Sequence, residues 1–177
     1  MKHKLLALAT AAAALTPMIS SASDGTITFN GEVKAVTCAI TSPSSFTVTL
    51  PTVSTSALGG SGVVAGATRF VIAITGCNGG LNNANAFFES GSTVDSSTGR
   101  LKIATGTGKA TNVDLQLTTA AGTPIDLSKA YGSQYTAQTG NIAATNATLE
   151  YGVRYYATGA STAGTVGSSV TYSVVYN

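Results

Sequence analysis

Ser23-Asp24-Gly25-Thr26-Ile27-Thr28-Phe29-Asn30-Gly31 stands between an apolar leader and the first cysteine of the chain. Gly25, Ile27, Phe29 and Gly31 fall on one face of an extended backbone, and Asp24, Thr26, Thr28 and Asn30 fall on the other. The stretch reads as a strand. With little room to fold back before the next strand begins, it takes either an edge in its own domain or a groove in another domain. We take the second reading.

Ahead of it, Met1-Lys2-His3-Lys4, the apolar run 5–19 and Ser20-Ser21-Ala22 have the charged, apolar and small-residue regions of a secretory signal peptide. Cleavage is expected after Ala22, so that residues 1–22 are the leader, 23–31 an N-terminal extension and 32–177 the domain proper. The apolar run is shorter than the roughly 20 residues that span a bilayer, and no later stretch approaches that length, so stable membrane insertion is not expected. About 155 residues then remain, enough for one domain with a real core.

The nine Lys and Arg and seven Asp and Glu of the full chain give +2, and removal of Lys2 and Lys4 with the leader brings this to zero. A neutral chain makes nucleic acid a poor partner. Charged residues are only 9% of the sequence, against roughly 25% in an average globular protein. Thr, Ser, Gly, Ala and Asn fill the difference. A surface of that kind repels its neighbours weakly, which suits packing against copies of itself, although composition alone fits a generic secreted β-protein equally well.

Cys38 and Cys77 are the only cysteines. The leader directs them to an oxidising compartment, where such a pair becomes a structural disulfide. A metal or redox role finds no support: there is no Cys-x-x-Cys, and the sole histidine, His3, leaves with the leader. No cofactor is expected.

Along the rest of the chain, period two dominates and helical periodicity is nearly absent. Residues 33–40 read as a strand carrying Cys38. Phe46, Val48 and Leu50 alternate with threonines up to Pro51, as in a short edge segment. Residues 58–68 look like a glycine-rich loop. Residues 69–76 put Phe70, Ile72 and Ile74 on one face and predict an interior strand. Further strands are expected at 86–89, 101–104, 113–118, 125–127, 147–158 and 166–177, with Ser, Gly, Asn and Asp clusters as turns. In the last two, Leu149, Tyr151, Val153 and Tyr155, and then Val170, Tyr172, Val174 and Tyr176, are in phase. Short strands with turns roughly every ten residues predict an all-β sandwich of immunoglobulin type.

Three features carry a family resemblance: Gly25-Thr-Ile-Thr-Phe-Asn-Gly-Glu-Val33 ahead of Cys38, Ile74-Thr-Gly-Cys77, and a C-terminal strand with Tyr176 penultimate and Gly164 fourteenth from the end. Together they resemble the structural subunits of type 1 fimbriae, assembled by the chaperone and usher route. The resemblance implies an incomplete immunoglobulin-like sandwich that lacks its last strand, leaving a groove beside the C-terminal strand. A periplasmic chaperone fills that groove first, and the extension of the next subunit then replaces it as donor strand.

Carried onto this chain, the resemblance makes Gly25, Ile27, Phe29 and Gly31 the inserted positions of the donor. It makes Gly164, Val170, Tyr172, Val174, Tyr176 and the terminal Asn177 the segment that the chaperone and the outer-membrane usher recognise. The expected partners are that chaperone, the usher and neighbouring copies in a homopolymer. The expected location is a fimbrium on the cell surface, reached through the periplasm and serving cell adhesion. Relatives of this kind carry more residues ahead of the position of Gly25. Either the leader is cut earlier, leaving Ala22 in phase, or Ser23 starts the exchange.

Other readings are weaker. Without a histidine in the mature chain, serine and cysteine nucleophiles lack their usual base, and the protein is not expected to be an enzyme. Gly60-Ser-Gly-Val-Val-Ala65 has no helix pattern after it, and Gly106-Thr-Gly-Lys109 lacks the hydroxyl residue that a phosphate loop requires. Glu89 and Asp95 are more simply solvated carboxylates than a glycosidase pair. Tyr151 and Tyr155 fall on the core side of a strand, which argues against a sugar-stacking platform with Tyr156. The competing functional classes are a minor tip or adaptor subunit of the same fibre and a free carbohydrate-binding sandwich.

Overall fold

Contacts divide the chain into two units, Met1–Val33 and Lys34–Asn177. The computed structural model describes residues 28, 30, 38–41, 43–77, 82–134, 140–141 and 145–176. Apart from Thr28 and Asn30, all of these belong to the second unit. The expected leader, the expected donor positions Gly25, Ile27, Phe29 and Gly31, and Asn177 lie outside the described residues.

Eight strands are found among the described residues: β1 (Ala39–Ile40), β2 (Val64–Thr75), β3 (Asn83–Phe88), β4 (Leu101–Lys102), β5 (Val113–Thr119), β6 (Gly140–Asn141), β7 (Ala147–Ala157) and β8 (Tyr172–Tyr176). They form an antiparallel sheet of order β1-β2-β7-β5-β4 and a second of order β6-β3-β8. The chain is all-β, as the alternation predicts.

The two longest strands form the spine of the larger sheet. Ile72 lies opposite Leu149 and Phe70 opposite Tyr151, so the apolar face of β2 continues into that of β7. Ile72, Ile74, Leu149 and Tyr151 are buried, whereas Val71 is 46% exposed on the other side. This is the burial pattern that a period of two requires. Leu115 and Leu117 of β5 extend the same buried face.

From the smaller sheet, Ala84, Ala86 and Phe88 of β3 complete the core. Phe88 meets Tyr151 edge to face at 5.0 Å, a geometry that the ring quadrupoles favour. The disulfide joins Cys38, just ahead of β1, to Cys77, just beyond β2.

Some segments depart from the expectations. The predicted loop 58–68 is a 3-10 turn at Thr55–Leu58 followed by an early start of β2. A bulge between Ala65 and Thr68 interrupts the register, and Gly66 there has φ +64° against the Tyr155 ring, a backbone conformation that a residue with a Cβ rarely adopts. Residues 125–127 form no strand, because the chain crosses β5 at a single bridge, yet Ile125 and Leu127 are buried as the pattern requires. The last strand shrinks to β8. Finally, 46–50 joins no ladder among the described residues.

Candidate functional site

Among the described residues no strand pairs with the segment 46–50. β8 pairs along one edge with β3, from Phe88 opposite Tyr172 to Ala84 opposite Tyr176. Among the described residues no strand pairs with its other edge. Facing that edge, 43–50 makes no backbone-to-backbone hydrogen bond among the described residues. Side chains hold it in place. The Tyr172 hydroxyl donates to the Ser44 carbonyl at 3.2 Å, the Tyr155 hydroxyl donates to the Pro51 carbonyl at 3.2 Å, and the Phe46 ring sits 6.0 Å from that of Phe70.

Between the two rims runs a groove of about 770 Å³ that reaches Phe70, Ile72, Phe88, Leu115, Leu117 and Val153 of the core, and its lining carries no charged side chain. Val170, Tyr172 and Val174 line one wall, and Val48 and Leu50 line the other. All five are half-buried against the core. Burial raises the pKa of both Tyr155 and Tyr176 above the ordinary 10.0, so these hydroxyls are neutral near pH 7. A bare strand edge above an apolar, uncharged trough can do one thing well. It can accept an extended peptide whose main chain pairs with the edge and whose alternate side chains enter the trough.

The opposite flank of the small sheet is closed differently. β6 covers only Asn83 and Ala84 of β3. Beyond it, the Tyr151 hydroxyl accepts from the Ala86 N–H at 2.9 Å. The Gln134 amide then takes over: its oxygen accepts from the Phe88 N–H at 3.3 Å and its nitrogen donates to the Phe88 carbonyl at 2.5 Å. Gln134 is 4% exposed. Sequence reasoning missed it, because a glutamine in a turn-rich stretch carries no periodic signal.

The structure brings Tyr172, Val174 and Tyr176 of β8, with Val170 just ahead of it, together against the core. Gly164 stands apart from them, in the loop before β8. There Thr165 pairs with Lys109 in a parallel bridge, and a Cβ on Gly164 would run into the Ala110 nitrogen and the Lys109 carbonyl. On the outer side, the Glu89 carboxylate accepts from the hydroxyls of Thr171, at 3.1 Å, and Ser173. Asp95 is held below the ordinary carboxylate range by the Ser97 hydroxyl and N–H. Glu89 and Asp95 are thus engaged in separate local contacts. Tyr156 lies under the Arg100 guanidinium, 4.0 Å from its ring centre.

Among the described residues, then, the fold is a two-sheet sandwich in which one edge of β8 has no partner strand and borders an apolar trough. The chain belongs to the FimA family, described as type-1 fimbrial protein, A, whose model matches residues 50–177. It is 45% identical over 171 residues to the major fimbrial subunit SMF-1 of Stenotrophomonas maltophilia (strain K279a), covering 93% of this chain and 99% of that one. It is 44% identical over 170 residues to the F17 fimbrial protein of Escherichia coli, covering 93% of each. Its fold is similar to that of a solved chaperone-usher pilus, with a TM-score of 0.58 at 20% identity over 92% of this chain and 100% of that one. The family is one of structural proteins and not of enzymes, and its members' names place them in fimbriae.

Proposed function

We propose that this protein is a structural subunit that polymerises by donor-strand exchange into the shaft of a surface fimbria supporting cell adhesion. Residues 23–31 act as the donor in the groove of the next copy. The observation that carries the reading is the edge of β8 that has no partner strand among the described residues, beside an uncharged groove of about 770 Å³. The similarity to a chaperone-usher pilus supports a route through the periplasm, with a chaperone covering the groove until an usher delivers the subunit. Val170, Tyr172, Val174, Tyr176 and Asn177 meet that chaperone, and Cys38–Cys77 fixes the fold before delivery.

The energetics come from the residue types. Each main-chain hydrogen bond along β8 contributes roughly 0.5–1.5 kcal/mol net, and Ile27 and Phe29 each bury apolar surface worth roughly 1.5–3 kcal/mol. Gly25 matches a shallow place where a side chain would clash. Because the donor completes a core, its removal requires partial unfolding of the acceptor, and the polymer persists through a slow rate. The test is co-expression with chaperone and usher, with fibres scored by electron microscopy. Phe29→Asp is expected to leave the chaperone complex intact and to abolish fibres. Fibres from a chain lacking residues 23–30 would refute the donor role, and a stable, complete monomer with no affinity for a strand would favour a free binding module.

A further inference from the structure

The hydrogen bond from Tyr172 to Ser44 joins the two rims of the groove. Tyr172 belongs to β8, and Ser44 lies in the bend that leads into 46–50 on the other side. The Ser44 carbonyl is the one main-chain group of 43–50 that has a hydrogen-bond partner among the described residues. The bond therefore draws the Ser44 end of that rim toward β8, over the path that a strand entering alongside β8 has to take. Nothing of comparable strength crosses elsewhere among the described residues: Phe46 meets Phe70 by ring contact alone, and the Tyr155 bond to Pro51 lies beyond the groove lining.

We propose that the Tyr172 hydroxyl is a latch on the groove, and that its release from the Ser44 carbonyl gates the uptake of a strand. The proposal rests on the strand-accepting reading. Two consequences separate a latch from a merely structural contact. A latch slows arrival of the strand and leaves its departure alone, since the bond opens before the strand seats. A structural contact, by contrast, stabilises β8 itself, so its loss slows uptake or hastens release.

The experiment uses the full oxidised chain and a fluorescent peptide of residues 23–31, with uptake followed by anisotropy. Tyr172→Phe keeps the ring against the core and removes only the hydroxyl. Loss of one hydrogen bond is expected to raise the association rate about fivefold, with the dissociation rate unchanged. Tyr172→Leu, which also removes the ring, is expected to raise association and to speed release as well. Equal association by wild type and Tyr172→Phe, or slower association by the variant, overturns the latch while the strand-accepting reading stands. Absence of uptake by both proteins overturns both.

Discussion

Replacement of Gln134 by alanine tests whether side chains can stand in for a missing strand. The substitution removes both partners of Phe88: the amide oxygen that accepts from its N–H and the amide nitrogen that donates to its carbonyl. Phe88 is 1% exposed, so water does not readily replace them. Each orphaned group costs about 1–3 kcal/mol, and the sum of about 2–6 kcal/mol is a large share of the roughly 5–15 kcal/mol that holds an ordinary domain together. In guanidinium chloride this corresponds to a midpoint lowered by about 1 M, read by circular dichroism with the disulfide intact. Gln134→Glu is nearly isosteric and sharpens the test. Its carboxylate would face the carbonyls of Phe88 and Lys129, which now accept from the amide nitrogen. The buried acid is expected to titrate above its unfolded value, so the variant is most stable below that value and loses stability as pH rises. A midpoint for Gln134→Ala within about 0.2 M of wild type would refute the reasoning.

Gly164→Ala puts a methyl group into the backbone of residues 109–110; about 1–3 kcal/mol of destabilisation is expected from such overpacking, visible as a lowered melting temperature. Asp126 is held below its ordinary value of 3.8 chiefly by the Ser128 hydroxyl. Its contribution is therefore present above that value and is lost as pH falls below it. Ser128→Ala is expected to move the Asp126 titration, followed by NMR, back toward 3.8. Replacing Cys38 and Cys77 by serine frees a loop closed across 39 positions and is expected to cost about 2–4 kcal/mol, measured by denaturant titration against the oxidised parent.

Alternation reports which face of a segment meets the core, and on that point the sequence is readable. Ile72 and Ile74, Leu149 and Tyr151, and the weaker series from Val170 to Tyr176 all pack as their period implies. Alternation does not report which edge of a strand has a neighbour. Phe46, Val48 and Leu50 therefore have the sequence of a paired strand although they join no ladder among the described residues, and the edge of β8 without a partner there leaves no mark in its own residues. The groove is legible only through the resemblance to fimbrial subunits. Gln134 and the Tyr172 hydroxyl are not legible at all, since each acts through a side chain meeting a backbone group remote in sequence. Gly164 illustrates a third case: the spacing singles it out, and the structure supplies a local reason for glycine in the crossing of two chains.

Among the described residues the small sheet has two unlike flanks, one finished by Gln134 and Tyr151 and the other without a partner strand along β8. In the larger sheet the outermost strands, among the described residues, are two residues long, too short to template a partner. On the strand-accepting reading, each copy then has a valence of one for incoming chain, and its own leading segment supplies one link outward. On that reading, growth with one socket and one plug yields a linear thread with distinct ends.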